Sequence, residues 1–461
     1  MKSIFRMLKS TRLAVSLILI LAVLCLIGIL LPQIPAEFSA TPDGYAWWVE
    51  NIAYRQVGDS CYTLEALGLF EVFRSGWFIC ATVLLILNIL ACIIPRIRSI
   101  QRESKKTGVK SDEDFYRQGK YVFAFDISSA QKRLCETAER ALDDRHYSAI
   151  REEAPGAVYF AGEKRGLSKW ATLFVHLSLI LLLTGVLIGS LSGFRNSSFV
   201  VVEGETKAVG NGTGLSVYLD SFSDEYWEDG TPKDYRSDVA IYQNNEEVKS
   251  GIVRVNHPLT VHGVSFHQGS FGEAVMLRML DADGNVAFQQ SIPLTEYQTN
   301  DDFIRPKGAV SLPQNDYNIV LLGSAVNGTD PYIGTDQIGV EFYDENLNFI
   351  GWLVLDHDTP QQLGDLQIQY SRLQYSGFLV SKDPGGPFIW TAAGLFLLGL
   401  GMIFYFPYRR IWIRTSAISE HETRVMLRID GQKSLGLENE ARILLKELGL
   451  LEEPEESNVG H

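Results

Sequence analysis

Four stretches constrain the fold of this chain more than any other feature. Residues 13–31, 77–94, 170–191 and 387–406 are apolar and carry no Asp, Glu, Lys or Arg. Each approaches the ~20 residues that cross a bilayer core as helix. In hydrocarbon a backbone must bond its own N–H and C=O groups, which such a run achieves as an α-helix. The sequence therefore predicts a four-span α-helical membrane protein. The segments are an N-terminus 1–12, a first span 13–31, a loop 32–76, a second span 77–94, an insert 95–169, a third span 170–191, a large domain 192–386, a fourth span 387–406 and a tail 407–461. The first window follows Lys2, Arg6, Lys9 and Arg12 as a secretory signal would. Its apolar run is too long for a signal, and "LLPQIPAEFS" offers no A-x-A-like cleavage site, so it reads as a retained span.

Lys and Arg set the orientation. Segment 95–169 holds 16 of them, and Arg409, Arg410 and Arg414 follow the last span, whereas loop 32–76 has only Arg55 and Arg74. Both termini and the insert are expected in the cytoplasm, with the loop and domain 192–386 outside. That domain carries 27 acidic against 11 basic side chains. The acidity excludes nucleic acid as a natural partner and suits either a solvated surface or a basic client. The five cysteines, Cys25, Cys61, Cys80, Cys92 and Cys135, form no C-x-x-C or C-x-x-C-H, and domain 192–386 has none. The chain is thus neither disulfide-stapled, nor a thioredoxin-like reductant, nor a c-type cytochrome.

Within the insert, "YVFAFD" and "GAVYFAGEKRG" read as strands around a helical "SSAQKRLCETAERALDDRH" with serine caps, a small α/β module. Alternating runs such as "GLSVYLDSF" and "SDVAIYQNN", with hairpin turns at "DADGN" and "DENLN", predict an all-β sandwich or barrel-like domain over 192–386. "TLEALGLFEVFRSGW" reads as a short helix entering the second span, and Trp47, Trp48 and Trp77 suit a membrane interface. In "VSKDPGGPFIW", Asp383 is the expected N-cap of the fourth span with Pro384 at its first position. The tail holds an amphipathic helix near 437–450, expected as a solvated or surface-lying element.

One ionisable group interrupts the spans: His176, in "LFVHLSLILLLTG". Such a group is a functional hypothesis by default. It lies six residues past Trp170, about 9 Å along the helix. Asn88 lies six residues before the end of the antiparallel second span, at a similar depth. Two readings follow. The pair is interhelical hydrogen-bond glue, or His176 is a ligand entered from the cytoplasmic leaflet, with Asn88 orienting it. With no carboxylate in any span a proton relay is a poor fit, while neutral imidazole suits haem iron. No other span histidine exists to oppose it. His257, His262 and His267, in "NHPLTVHGVSFHQG", are spaced by five, which is no standard zinc pattern. They read as structural, and no metal site or catalytic residue is assigned.

These stretches resemble a known family. "LLILNILACIIPRI" (with Asn88, Cys92 and Arg96), "AGEKRGLSKWATLFVHLSLILLLTG" (with His176), "GTPKDYRSDVAIY", "VNHPLTVHGVSFHQGSFG" and "YSGFLVSKDPGGPFIWTAAGLFLLGLGMIFYFPYRRIWIR" are similar to segments of the ResB/CcsB family of System II cytochrome c biogenesis proteins. The resemblance covers nearly the whole chain. It departs at His267, where the family pattern has tyrosine. "AWWVEN" does not resemble the tryptophan-rich haem motif of the companion subunit. The resemblance implies a multi-pass protein of the bacterial cytoplasmic membrane, working with a ResC/CcsA-like membrane subunit. Together they would carry haem b outward and present it to apocytochrome c, kept reduced by a thioredoxin-like partner. His176 would be an axial ligand at the inner side, held transiently and shared with the partner. The chain would be the non-catalytic half of a holocytochrome c synthase. The alternative is a cofactor-free membrane scaffold or sensor with an outer β-domain.

Overall fold

The fold is taken from a computed structural model. The structure describes residues 6–39, 41–105, 109–118, 121–299, 303–312, 317–431 and 436–450. The first residues of the expected N-terminal segment and the end of the tail lie outside these. Six long helices are α1 (Thr11–Leu30), α2 (Gly76–Lys105), α3 (Gln131–Asp144), α4 (Ala171–Ser192), α5 (Gly386–Tyr405) and α6 (Leu437–Glu447). Of these, α1, α2, α4 and α5 are long and apolar enough to cross a membrane, matching the four windows. Helix α2 runs past the expected end at residue 94, through Pro95. Pro95 has no N–H for the carbonyl of Ala91, so that turn lacks a rung. Helix α5 starts at Gly386, with Gly385 as its cap and Pro387 in its first turn. The expected Asp383 cap is therefore corrected by two residues, to Gly385. A proline fits where the helix needs no N–H donor, and Pro387 rather than Pro384 fills that place.

The chain divides into two compact units. The first comprises the four helices, the insert and the tail. Leu17 and Leu21 of α1 pack on Phe78, Ala81, Leu85 and Ile89 of α2, a one-face stripe at helical spacing, with Ile180, Leu183 and Val186 of α4 against it. Helices α4 and α5 approach through glycines. A Cβ at Gly399 would lie 2.8 Å from Val175 Cγ2, and one at Gly185 3.0 Å from Ile389 Cγ1. Small residues permit the close backbone packing that substitutes for a hydrophobic drive in lipid.

The insert supplies the expected β1 (Tyr121–Ile127), α3 and β3 (Ala157–Lys164), together with a strand the sequence did not mark, β2 (Ser148–Ala154). Ala130 rather than a serine caps α3.

The second unit holds the loop before α2 together with the β-rich domain. In the loop, Trp48, Val49, Ala53, Cys61 and Phe70 form a small core. Trp48 is 2% exposed and meets Phe70 edge-on at 5.5 Å, so it is a core residue and not an interfacial anchor. Trp47 and Trp77 do lie exposed. The stretch before α2 forms a short helix, Cys61–Ala66, and a 3₁₀ segment, Leu69–Arg74.

Among the described residues the β-domain forms three antiparallel sheets, none of them closed on itself, which favours the sandwich reading. Its spine is the pairing of two 17-residue strands, β4 (Val264–Leu280) and β5 (Leu366–Lys382). One half of this pair joins the four-stranded sheet Thr206–Ala208, Leu215–Tyr226, Pro232–Gln243, Glu246–Arg254 around Leu219, Ile241, Val264 and Phe266. The other half packs on the five-stranded sheet from Glu296–Thr299 to Phe349–Asp356 around Leu277, Met279, Leu321 and Val340. A bulge between Gln268 and Ser270 re-phases β4. Before it the even-numbered Val264 and Phe266 are buried, and after it the odd-numbered Val275, Leu277 and Met279. Without that extra residue, one half of β4 would turn its apolar side chains out of its core.

The two expected hairpin turns share one construction. Asp281 accepts from the N–H of Asp283 and Asn285 at 3.0 and 2.8 Å, and Asp344 from those of Asn346 and Asn348 at 2.9 and 2.8 Å. The left-handed position is Gly284 in the first turn (φ 81°) and Leu347 in the second (φ 61°). A left-handed L-residue costs about 1–2 kcal/mol, and glycine returns about 0.5–1 of this as lost chain entropy. Leu347→Gly is thus expected to stabilise the domain by roughly 0.5–1 kcal/mol. Thermal unfolding of the full chain checks this, and a lowered midpoint would reject it.

The tail changes the picture most. It forms β6 (Arg409–Ser419), β7 (Glu422–Gly431) and α6, and these complete the insert's module. The sheet order is β1-β7-β6-β3-β2, so two tail strands sit at its centre. Leu134, Ala138 and Leu142 of α3 and Ala441, Leu444 and Leu445 of α6 bury against Ile413, Leu427 and Ile429. The expected solvated tail is corrected: its helix is one wall of a core. Arg409, Arg410 and Arg414, read as membrane-flanking charges, sit on β6 and pair with Glu440, Glu163 and Glu113. Because insert and tail share one sheet, they lie on the same side of the membrane helices.

Candidate functional site

His176 lies in the second turn of α4, exposed at the surface of the helix bundle. Its Nδ1 is 2.6 Å from the carbonyl oxygen of Thr172, one turn earlier. A carbonyl only accepts, so Nδ1 carries the proton and donates it. That fixes the ring and leaves Nε2 as the nitrogen available to a ligand. Metal-binding imidazoles are held this way, the second nitrogen donating to a carbonyl or carboxylate.

The ring borders a cavity of about 320 Å³ lined by Cys92, Ile93 and Arg96 of α2 and Thr172, Leu173 and His176 of α4. Thr172 Oγ1 is buried there without a hydrogen-bond partner. The second and third spans line one cavity here, but His176 shares it with Cys92, Ile93 and Arg96 and not with the expected Asn88. Asn88 is 1% exposed, and its Nδ2 donates to the carbonyls of Leu8 at 2.7 Å and Ser10 at 3.2 Å. The Asn88–His176 pairing is therefore corrected. Carbonyls at a helix end need donors from outside their own helix; the Asn88 amide supplies one to Leu8 and adds a second to Ser10, whose carbonyl also accepts from the Ala14 N–H at 3.2 Å. Cys92, one turn further along α2, approaches the carbonyl of Lys9 at 3.9 Å. The hydrogen-bond glue belongs to Asn88, while His176 is left with one ring nitrogen uncommitted. Sequence alone could not separate these roles, because the partners of Asn88 lie about 80 residues away.

A second cavity, of about 310 Å³, is lined by Arg96, Lys169, Tyr408, Arg410, Trp412, Asp430 and Gly431. Lys169, 6% exposed, holds Glu163 at 2.7 Å and lies over the Tyr408 ring at 4.6 Å. Arg96 belongs to both cavities. The sequence marks Arg96 as a basic residue after the second span and as part of the family-like "LLILNILACIIPRI", but not as a cavity residue. Apart from Lys169, its neighbours in this cavity come from the tail, far away in sequence.

The three histidines of the β-domain are not brought together at a metal site. His257 and His262 sit in exposed turns and His267 is half-buried on β4. Among the described residues no group of three His, Cys, Asp or Glu is placed to hold a metal ion. The motifs around them have a structural explanation. Ser237, from "GTPKDYRSDVAIY", donates to Gln268 Oε1 at 2.6 Å, and Gln268 Nε2 donates to Ser376 Oγ at 2.9 Å. Ser237 and Ser376 are fully buried with their hydroxyls 2.6 Å apart. Beside them Tyr235 and Phe222 pack on Phe271 at 4.5 and 4.9 Å. The recognisable stretches are the places where separate strands exchange buried polar contacts.

None of the five cysteines is paired with another. Burial pushes the thiols of Cys61 and Cys135 up, keeping both protonated and poorly nucleophilic.

Together these features define a multi-pass membrane protein with an imidazole at the edge of its helix bundle and a thiol-free β-domain. The chain belongs to the ResB-like family, whose model matches residues 11–440. It is 25% identical over 431 residues to the cytochrome c biogenesis protein CcsB of Synechococcus sp. (strain JA-3-3Ab), covering 88% of this chain and 82% of that one. It is 23% identical to CcsB of Prochlorococcus marinus (strain MIT 9301), over 90% of this chain and 92% of the relative. The cytochrome c biogenesis protein Ccs1 of Pyropia yezoensis is 24% identical, with 89% and 88% covered.

Proposed function

We propose that this chain is the ResB-like subunit of a System II cytochrome c assembly complex. In this reading it carries haem across the membrane with a ResC/CcsA-like partner and presents it to apocytochrome c. Family membership supplies the reaction class. The single observation that carries the site is the His176 ring, fixed through Nδ1 with Nε2 available in a cavity between α2 and α4.

The residues fit haem as cargo. Imidazole is an axial ligand for haem iron, the buried Thr172 hydroxyl has hydrogen-bonding capacity to spare, and Arg96 matches a porphyrin carboxylate. The cavity is at the lower end of the ~300–1,000 Å³ that enclose a ligand. With His176 at the bundle surface, it is a half-site, completed by the opposing ligand and wall of a partner subunit. The inner side is supported by the 16 Lys and Arg of the insert, which favour a cytoplasmic position for the chain leading into Trp170 and His176. Reduction of the substrate's thiols falls to a thioredoxin-like partner, since Cys61 and Cys135 are buried and protonated. The acidic domain faces outward and guides a basic apocytochrome.

Deletion of the chain is expected to abolish covalent haem attachment to c-type cytochromes while leaving haem b proteins intact, and a plasmid copy should restore it. Normal c-type cytochromes after deletion would instead select the cofactor-free scaffold.

A further inference from the structure

The second cavity has no role in the function just proposed. It lies where the membrane helices meet the α/β module, with walls from α2, the segment before α4, and β6 and β7. Its lining carries three cations, Arg96, Lys169 and Arg410, against one carboxylate, Asp430. Asp430 is engaged by Arg428 at 2.7 Å. Lys169 and Arg410 both lean on Glu163, at 2.7 and 3.4 Å, and over the rings of Tyr408 and Trp412, each at 4.6 Å. Arg96 is exposed and makes no ion pair among the described residues. Lys169 and Arg410 are thus largely buried, held by aromatic faces and by a module that needs the tail to exist. The result is a pre-ordered pocket with excess positive charge. Anionic oxygens are its natural occupants.

Two sources offer that chemistry at this depth: the carboxylates of a porphyrin and the phosphate of an anionic lipid. Arg96 decides between them, because it also lines the His176 cavity. A ligand whose metal reaches the imidazole and whose acidic edge reaches Arg96 uses both cavities at once. We infer that the Arg96–Lys169–Arg410 pocket holds the carboxylate edge of the haem whose iron His176 ligates. This rests on the haem reading above and extends it. The pocket sets which way round the cargo enters and discriminates acidic porphyrins from neutral ones.

The test uses the full chain in nanodiscs, titrated with haemin and with haemin dimethyl ester without added imidazole, and followed by the Soret band. Wild type is expected to prefer haemin by about tenfold, the value of a charge-assisted contact. Arg96→Gln should reduce this preference to nearly none while leaving the spectrum of the bound form unchanged. Arg96 is chosen because it makes no structural ion pair, so the variant should fold. His176→Ala should alter the spectrum with either ligand. A His176-dependent spectrum with equal affinity for haemin and its ester would overturn the pocket assignment and leave the haem reading standing. The pocket would then belong to lipid if Arg96→Gln also lowered retention of phosphatidylglycerol by native mass spectrometry. Absence of any His176-dependent spectrum would overturn both.

Discussion

His176→Ala is expected to lose haem from the assembled complex by tenfold or more, and covalent attachment to c-type cytochromes with it. Changing groups that merely orient a metal ligand costs about 10–100-fold in affinity, and removing the ligand itself should cost at least that. Added imidazole should restore part of both signals, since the defect is a missing nitrogen and not a broken fold. His176 is exposed at the bundle surface and its one hydrogen bond is to its own helix. Truncation therefore removes no packing contact on which α4 depends. The informative control is Asn88→Leu. Its amide serves Leu8 and Ser10, so this variant should leave the haem spectrum unchanged. It should loosen the N-terminal segment instead, by about 0.6 kcal/mol and at most ~2. An Asn88→Leu spectrum as altered as that of His176→Ala would show that the two residues do act together.

Asp330→Ala is expected to cost about 3–5 kcal/mol and to disorder its own segment of the β-domain, as breaking a buried ion pair does. The Asp330 side chain is fully buried and takes a two-pronged hydrogen bond from Arg305, Nε at 2.6 Å and Nη2 at 2.8 Å. It also accepts the backbone N–H groups of Ala325, Tyr332 and Ile333. Without it, Arg305 would remain as an unpaired cation between the rings of Phe303 and Tyr332. The Arg305 guanidinium beside Asp330, helped by those N–H groups, holds its carboxyl well below the usual carboxylate range. A depressed folded-state pKa contributes stability that is fully present above the unfolded value of about 4 and is lost as pH falls below it. Wild type should therefore lose stability in acid more steeply than Asp330→Asn, which lacks the titrating group. Limited proteolysis of segment 323–336 and thermal unfolding between pH 7 and pH 3 measure both effects. Equal acid sensitivity of the two proteins would remove Asp330 from that role.

The sequence by itself determined the elements whose signal is local. Uncharged runs of span length could only be membrane helices, because lipid leaves the backbone no other partners. Alternation and Asp-headed turns marked the strands of the β-domain, because a side chain's face and a turn's left-handed position are set within a few residues. His176 stood out for the same reason, as one ionisable group in an uncharged run. The tertiary structure decided what depends on contacts across the chain. It placed the tail strands β6 and β7 at the centre of the insert's sheet, although more than 240 residues separate β3 from β6. It gave Asn88 to the N-terminal carbonyls and left His176 a free nitrogen. It set Arg96 on the boundary of two cavities and made a core residue of Trp48. Depth along a helix can be counted from sequence, but the direction a side chain faces around a bundle cannot. That direction is fixed by which helices and strands pack beside it, and those neighbours are chosen by burial and hydrogen-bond satisfaction over the whole fold.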